Sequence, residues 1–178
     1  MSYSLTRRRA LLSMAAFCAV TLSACGVAHV AVLVPLQDAG YYDRAVIDAV
    51  SVESVERSPR AEALNDRFAD LTGRLLEDEL SRRYQLVERG YGRGSRTLLV
   101  AVSVRIQYGS RALRYFVGSG AGSGYVDSML TAVDAETGQE QLRVSARSEL
   151  AVGLFGGSMD EAVTRNIRGL IRRSGLGS

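Results

Sequence analysis

The apolar residues of this chain follow two rhythms, and the change from one to the other marks out the elements. Over 98–108 they alternate: Leu98, Val100, Val102, Val104, Ile106 and Tyr108 hold every second position, with Leu99, Ala101, Ser103, Arg105 and Gln107 between them. A two-residue period puts the first set on the buried face of a strand and most of the second on a wetter one. Residues 125–133 and 140–152 read as two more strands, joined as a hairpin. Their connection, Asp134-Ala135-Glu136-Thr137-Gly138, starts with a turn-forming acid and ends with glycine, as a type I turn closed by a bulge requires. On the second strand Leu142, Val144, Ala146, Leu150 and Val152 face one way, and Gln141, Arg143, Ser145, Arg147 and Glu149 the other. Residues 41–55, with Val46, Ile47, Val50, Val52 and Val55, predict a first strand, and 84–88 a short one.

Two stretches keep the helical rhythm. After Ser58-Pro59, a serine cap with proline at the first helical position, Leu64, Phe68, Leu71, Leu75 and Leu80 recur mostly at three- and four-residue steps. This helix runs out near Arg82-Arg83, where positive charge suits the C-terminal dipole. The second begins after Gly156-Gly157 with Ser158 and Glu161, a capping box. Val163, Ile167, Leu170 and Ile171 form its apolar stripe, and Gly175 closes it. Strand, helix, three or four strands, helix is the order of an α+β domain. We expect an antiparallel sheet of about four to five strands with two helices packed on one face.

The start of the chain is patterned differently. Arg7, Arg8 and Arg9 precede an apolar run from Ala10 to Leu22, which ends in Leu22-Ser23-Ala24-Cys25. A positive start, a hydrophobic run and Leu-Ser-Ala-Cys in register read as a bacterial lipoprotein signal peptide. In such a lipobox small residues fit the signal peptidase, the Cys25 thiol accepts diacylglycerol, and cleavage falls between Ala24 and Cys25. The expected division is a signal peptide over 1–24, a lipidated N-terminus and tether over 25–40, and one α+β domain over 41–178. Apolar character continues through Val27, Val30, Val32, Leu33 and Val34 to Leu36, so an uncleaved signal anchor is the competing reading. Thr6-Arg7-Arg8-Arg9-Ala10-Leu11-Leu12 also resembles a twin-arginine export signal. Gly26 stands where inner-membrane lipoproteins commonly carry aspartate, which favours the periplasmic face of an outer membrane.

Charge narrows the function classes. The chain carries 22 basic and 19 acidic residues. The three arginines at 7–9 lie in a segment without acids, and 22 less 3 leaves 19 against 19 once that segment is set aside. The remainder is formally neutral, so the basic face of a nucleic-acid binder is not expected. There is no lysine, hence no Schiff-base or P-loop lysine. His29 is the only imidazole, four residues from Cys25 in the expected tether, which argues against a Ser-His-Asp triad or a histidine zinc site. Cys18 lies inside the signal segment, so Cys25 alone would remain and no internal disulfide can form.

Three further features have a structural reading beside a functional one. Gly118-Ser119-Gly120-Ala121-Gly122-Ser123-Gly124 has serine where a dinucleotide fingerprint needs glycine, and no Lys-Ser/Thr follows, so it reads as a loop and no nucleotide is expected. Asp127, Asp134 and Glu136 lack the alternating ligands of a calcium loop and read as turn chemistry. Arg165, Arg168, Arg172 and Arg173 give the last helix a basic end: a dipole complement on a solvated surface, or a contact for anionic lipid or an acidic partner. No catalytic residue, cofactor or metal is expected.

Arg114-Tyr115-Phe116-Val117-Gly118-Ser119-Gly120-Ala121-Gly122-Ser123, then Val133-Asp134-Ala135-Glu136-Thr137-Gly138, then Gly156-Gly157-Ser158 before a helix resembles the lipoprotein family known as domain of unknown function 4410. The resemblance covers roughly 41–173. It implies an envelope lipoprotein and supplies no catalytic residues. The expected role is a non-enzymatic assembly, accessory or docking factor, held to the membrane by its N-terminal lipid and bound to an envelope protein. The alternative is a lipid-tethered periplasmic hydrolase using carboxylates.

Overall fold

A computed structural model describes residues 28–86, 96–108, 124–149 and 158–176. Its strands are β1 (His29–Val34), β2 (Arg44–Ser54), β3 (Gln85–Leu86), β4 (Thr97–Gln107), β5 (Tyr125–Asp134) and β6 (Glu140–Glu149), and its helices α1 (Pro59–Leu80) and α2 (Met159–Ser174). The strands form one sheet in the order β1-β6-β5-β4-β2-β3. Strands β4, β5, β6 and β1 are joined antiparallel. Strand β2 runs parallel to both β3 and β4.

The sheet is therefore mixed and six-stranded, not antiparallel with four or five strands. The physical reason lies in α1. A helix between two strands carries the chain back along the sheet, so the next strand starts at the same end as the last and runs beside it in the same direction. The sixth strand comes from the stretch expected as tether. Residues His29–Val34 pair with β6, and His29, expected near a free end, stands opposite Arg147 in that ladder.

The alternation in β4 is obeyed in full. Leu98, Val100, Val102, Val104 and Ile106 are all buried, while Ser103 and Arg105 are exposed. Leu142, Val144 and Ala146 of β6 are buried likewise; Leu150 and Val152 lie outside the described residues. In β2 the register shifts between Ile47 and Ala49, so Ile47 pairs with Val100 and Val50 with Val102. That bulge puts two apolar residues three apart on the same face, and it explains why this stretch does not alternate.

Both helices pack against the Val102 face and against each other, forming one core with Phe68, Leu76, Val163, Ile167 and Leu170. Ser58 Oγ accepts the Ala61 N–H at 3.1 Å and Ser158 Oγ the Glu161 N–H at 3.1 Å, so both expected N-caps are made. Gly175 ends α2 at φ 73°, where a side chain would be strained. Arg83 Nη1 donates to the Gly175 carbonyl at 2.9 Å, which ties the end of α1 to the end of α2. The inward face of α1 is rotated slightly from expectation. Phe68, Thr72, Leu76 and Leu80 are buried, and Leu64, Leu71 and Leu75 flank them half-buried.

Candidate functional site

The helices cover one face of the sheet and leave the other open. Residues directly opposite across a ladder point to the same face, so the register defines the rows of the open side. One row is Ser51, Ser103, Met129, Ser145 and Ala31, read from β2 across to β1. The next is Ala49, Ala101, Thr131, Arg143 and Val34. These are mostly small side chains, and Met129 rises among them 38% exposed.

Beside them runs a charged row: Glu53, Arg105, Asp127, Arg147 and His29. Sign alternates along its first four members, one from each strand. Arg147 Nη1 lies 3.5 Å from Asp127 Oδ2, and its guanidinium sits 4.5 Å from the Tyr125 ring centre, so ion pair and cation–π contact hold it flat against the sheet. Alternation puts Arg105, Arg147 and Glu149 on the wetter face but does not reveal the row. Periodicity assigns faces; it does not say which strands are neighbours.

The two conspicuous polar clusters on the covered side have structural work. Asp134 Oδ1 accepts the Glu136 N–H at 3.0 Å, the Thr137 N–H at 2.8 Å and the Thr137 hydroxyl at 3.0 Å, and Tyr42 OH donates to Oδ2 at 3.0 Å. The Thr137 N–H above all holds the Asp134 carboxyl below its usual range. Burial first, and then the bond to Asp134, pushes the Tyr42 phenol from 10.0 to about 12. With Gly138 at φ 71°, this is the expected hairpin turn, braced from β2's approach by Tyr42. The second cluster centres on Asn166 of α2. Its Nδ2 donates to the Val126 carbonyl at 3.0 Å and to Ser148 Oγ at 3.1 Å, and Ser128 Oγ donates to its Oδ1. Every member is buried, so the cluster locks α2 onto β5 and β6 in one register.

The other sequence-derived candidates fall apart or together as follows. Asp127 and Asp134 stand at opposite ends of β5, and among the described residues no three His, Cys, Asp or Glu side chains converge as metal ligands must. Cys25, Ala24 and the glycine run over 118–124 lie outside the described residues. Arg165, Arg168, Arg172 and Arg173 are all exposed on α2. Beside them Gly169 faces β1: a Cβ there would stand 3.5 Å from Val30 Cγ2 and 3.6 Å from Ala28 Cβ. The start of the N-terminal strand thus packs against the helix beside its basic stretch. Among the described residues no helix is long and apolar enough to cross a membrane.

No family model matches this chain, and no curated protein matches it. Solved structures do. A variant of PelC from Paraburkholderia phytofirmans, determined as a dodecamer, is similar over 85% of this chain and 98% of its own, at 12% identity and a TM-score of 0.50. A DUF4136 family protein from Bacteroides thetaiotaomicron covers 86% of this chain and 97% of its own at 8% identity and a TM-score of 0.44. Lipoprotein GNA1162 from Neisseria meningitidis covers 74% and 96% at 11% identity and a TM-score of 0.30. The likeness to PelC is one of fold.

Proposed function

We propose that this protein is a lipid-anchored, non-enzymatic protein of the cell envelope that acts as an assembly or docking factor through its open sheet face. The observation that carries the reading is that face: small side chains, a protruding Met129 and a row of alternating charge, left bare by both helices. The anchor is Cys25 in Leu22-Ser23-Ala24-Cys25, and Gly26 favours the periplasmic face of an outer membrane. The resemblance to the lipoprotein family of domain 4410 points the same way.

The charged row suggests the first occupant. Read backwards, its signs still alternate. A second copy laid face to face about a two-fold axis along the strands would set Glu53 against the partner's Arg147 and Arg105 against the partner's Asp127. The PelC relative is itself a dodecamer.

Photocrosslinking in native membranes tests the reading, with the crosslinker at Met129 and a control at Glu77 on the exposed side of α1. The expected result is a discrete product from Met129, a second copy or one envelope protein, that Glu77 does not give. Identical patterns from the two positions, or none from Met129, would sink it.

A further inference from the structure

Ala28, the first described residue, and Val30 lie against α2 at Gly169, beside the basic part of that helix. Only three peptide links separate Ala28 from Cys25, a reach of at most roughly 11 Å. From Thr164 to Ser174 the helix contains no acid; its acids, Asp160 and Glu161, stand in the first turn, and Asp160 is paired with Arg67. Arg168 and Arg172 are one turn apart on the exposed side, with Arg173 next to them at the end.

We infer that Arg168, Arg172 and Arg173 form a docking surface for the phosphate headgroups of the bilayer in which the chain is anchored, so that α2 lies on the membrane. The inference rests on the lipid anchor at Cys25. A lipid at that position tethers the helix within roughly 11 Å of headgroup level, a distance comparable to the Debye length of about 8 Å at physiological salt. Near an anionic surface each arginine is attracted electrostatically, and three together favour the docked orientation on the order of a hundredfold. At Gly169 the first described residues lie at van der Waals distance from the helix, within 3.5–3.6 Å of where a Cβ would stand. The docked orientation also leaves the open sheet face, on the far side of the sheet from α2, turned toward the aqueous compartment.

The chain contains no tryptophan, so a single reporter can be placed at Thr164→Trp in the full-length protein. The protein is extracted from membranes, its N-terminal mass is measured, and it is reconstituted into vesicles bearing a headgroup acceptor dye. One set is phosphatidylcholine with phosphatidylglycerol, the other phosphatidylcholine alone. Energy transfer is expected to be several times greater on the anionic vesicles. It should fall to the neutral level in Arg168→Gln/Arg172→Gln/Arg173→Gln and in high salt, and be retained in the corresponding triple lysine variant. The Gln and Lys variants are surface changes of equal size, and matching urea midpoints confirm that both fold. Equal transfer on both vesicles, with the acyl mass present, overturns the docking surface and leaves the anchor standing; an acidic protein would then be the partner to seek. An N-terminal mass without acyl chains overturns the anchor, and the inference with it.

Discussion

From Val102 to Ser103 the backbone of β4 advances one residue and the surroundings change completely. Val102 is 2% exposed beneath the helices, among Leu130, Val144 and the Phe68 side of the core. Ser103 is exposed on a plane of serine, alanine and threonine crossed by alternating charge. The covered face secures the fold with apolar packing and with buried polar locks at Asn166 and Asp134. The open face carries little of that burden, so its residues are free to be chosen for what they touch. If the open face docks a partner as proposed, affinity and stability are separable, and mutations on the two faces ought to be told apart by what they damage.

The sharpest break is expected at that boundary. Val102→Asp puts an unpaired charge in the core and should cost on the order of 4 kcal/mol or more, enough to unfold a marginal domain, whereas Ser103→Asp should cost below about 1 kcal/mol. Urea melts measure both, and similar losses would mean that the open face is not open. Next in size is the edge. A fragment starting at Tyr41 lacks β1, uncovers the outer edge of β6 and removes Val30 from α2. It should be less stable than one starting at Gly26 by about 2–3 kcal/mol, and more prone to aggregate through the bared edge. Asn166→Ala sharpens the covered side further. It strands Ser128, Ser148 and the Val126 carbonyl, which predicts a loss of roughly 2 kcal/mol in urea melts. A loss near zero would show that α2 is held by packing alone.

The smallest effect is in pH. Asp134, lowered from 3.8, contributes stability that is present above that value and lost as pH falls through its lower folded value. Tyr42, raised from 10.0 to about 12, contributes stability that is present below 10.0 and lost as pH rises toward 12. Urea midpoints across pH should show both limbs. Asp134→Asn should flatten the acid limb and Tyr42→Phe the alkaline one, while Arg147→Ala on the open face leaves both in place.

Local rules were legible in the residues. Alternation gave β4 its faces, Ser58 and Ser158 gave both helix starts, and Asp134 with Gly138 gave the turn, because each depends on neighbours a few positions away. The failures all involve partners distant in sequence. Nothing in His29–Val34 says that β6 has an unpaired edge, so an apolar stretch after a signal segment reads as tether. The strand over 41–55 was legible from its valines, but the bulge between Ile47 and Ala49 that sets its register was not. The parallel pairing was available in principle, since strand, helix and strand in succession is the signature of a crossover. On α1, Leu76 and Thr72 were passed over because Leu71 and Leu75 make an equally good stripe, and only the position of α2 decides between them. The candidate site was the least legible of all: Glu53, Arg105, Asp127 and Arg147 become a row only when the strand order is known.

Strand β1 also imposes an order in time. A polypeptide is made and exported from its N-terminus, so β1 is the first of these strands to emerge, yet its one partner, β6, is the last. For most of its passage the leading segment of the chain has nowhere to pair, and the outer edge of β6 stays bare until that segment returns to it. Closing so long a loop is entropically slow. On the proposed export, a precursor held at the membrane would be a nearly finished sheet waiting for its first-made strand, and that interval is when envelope chaperones and proteases would find it.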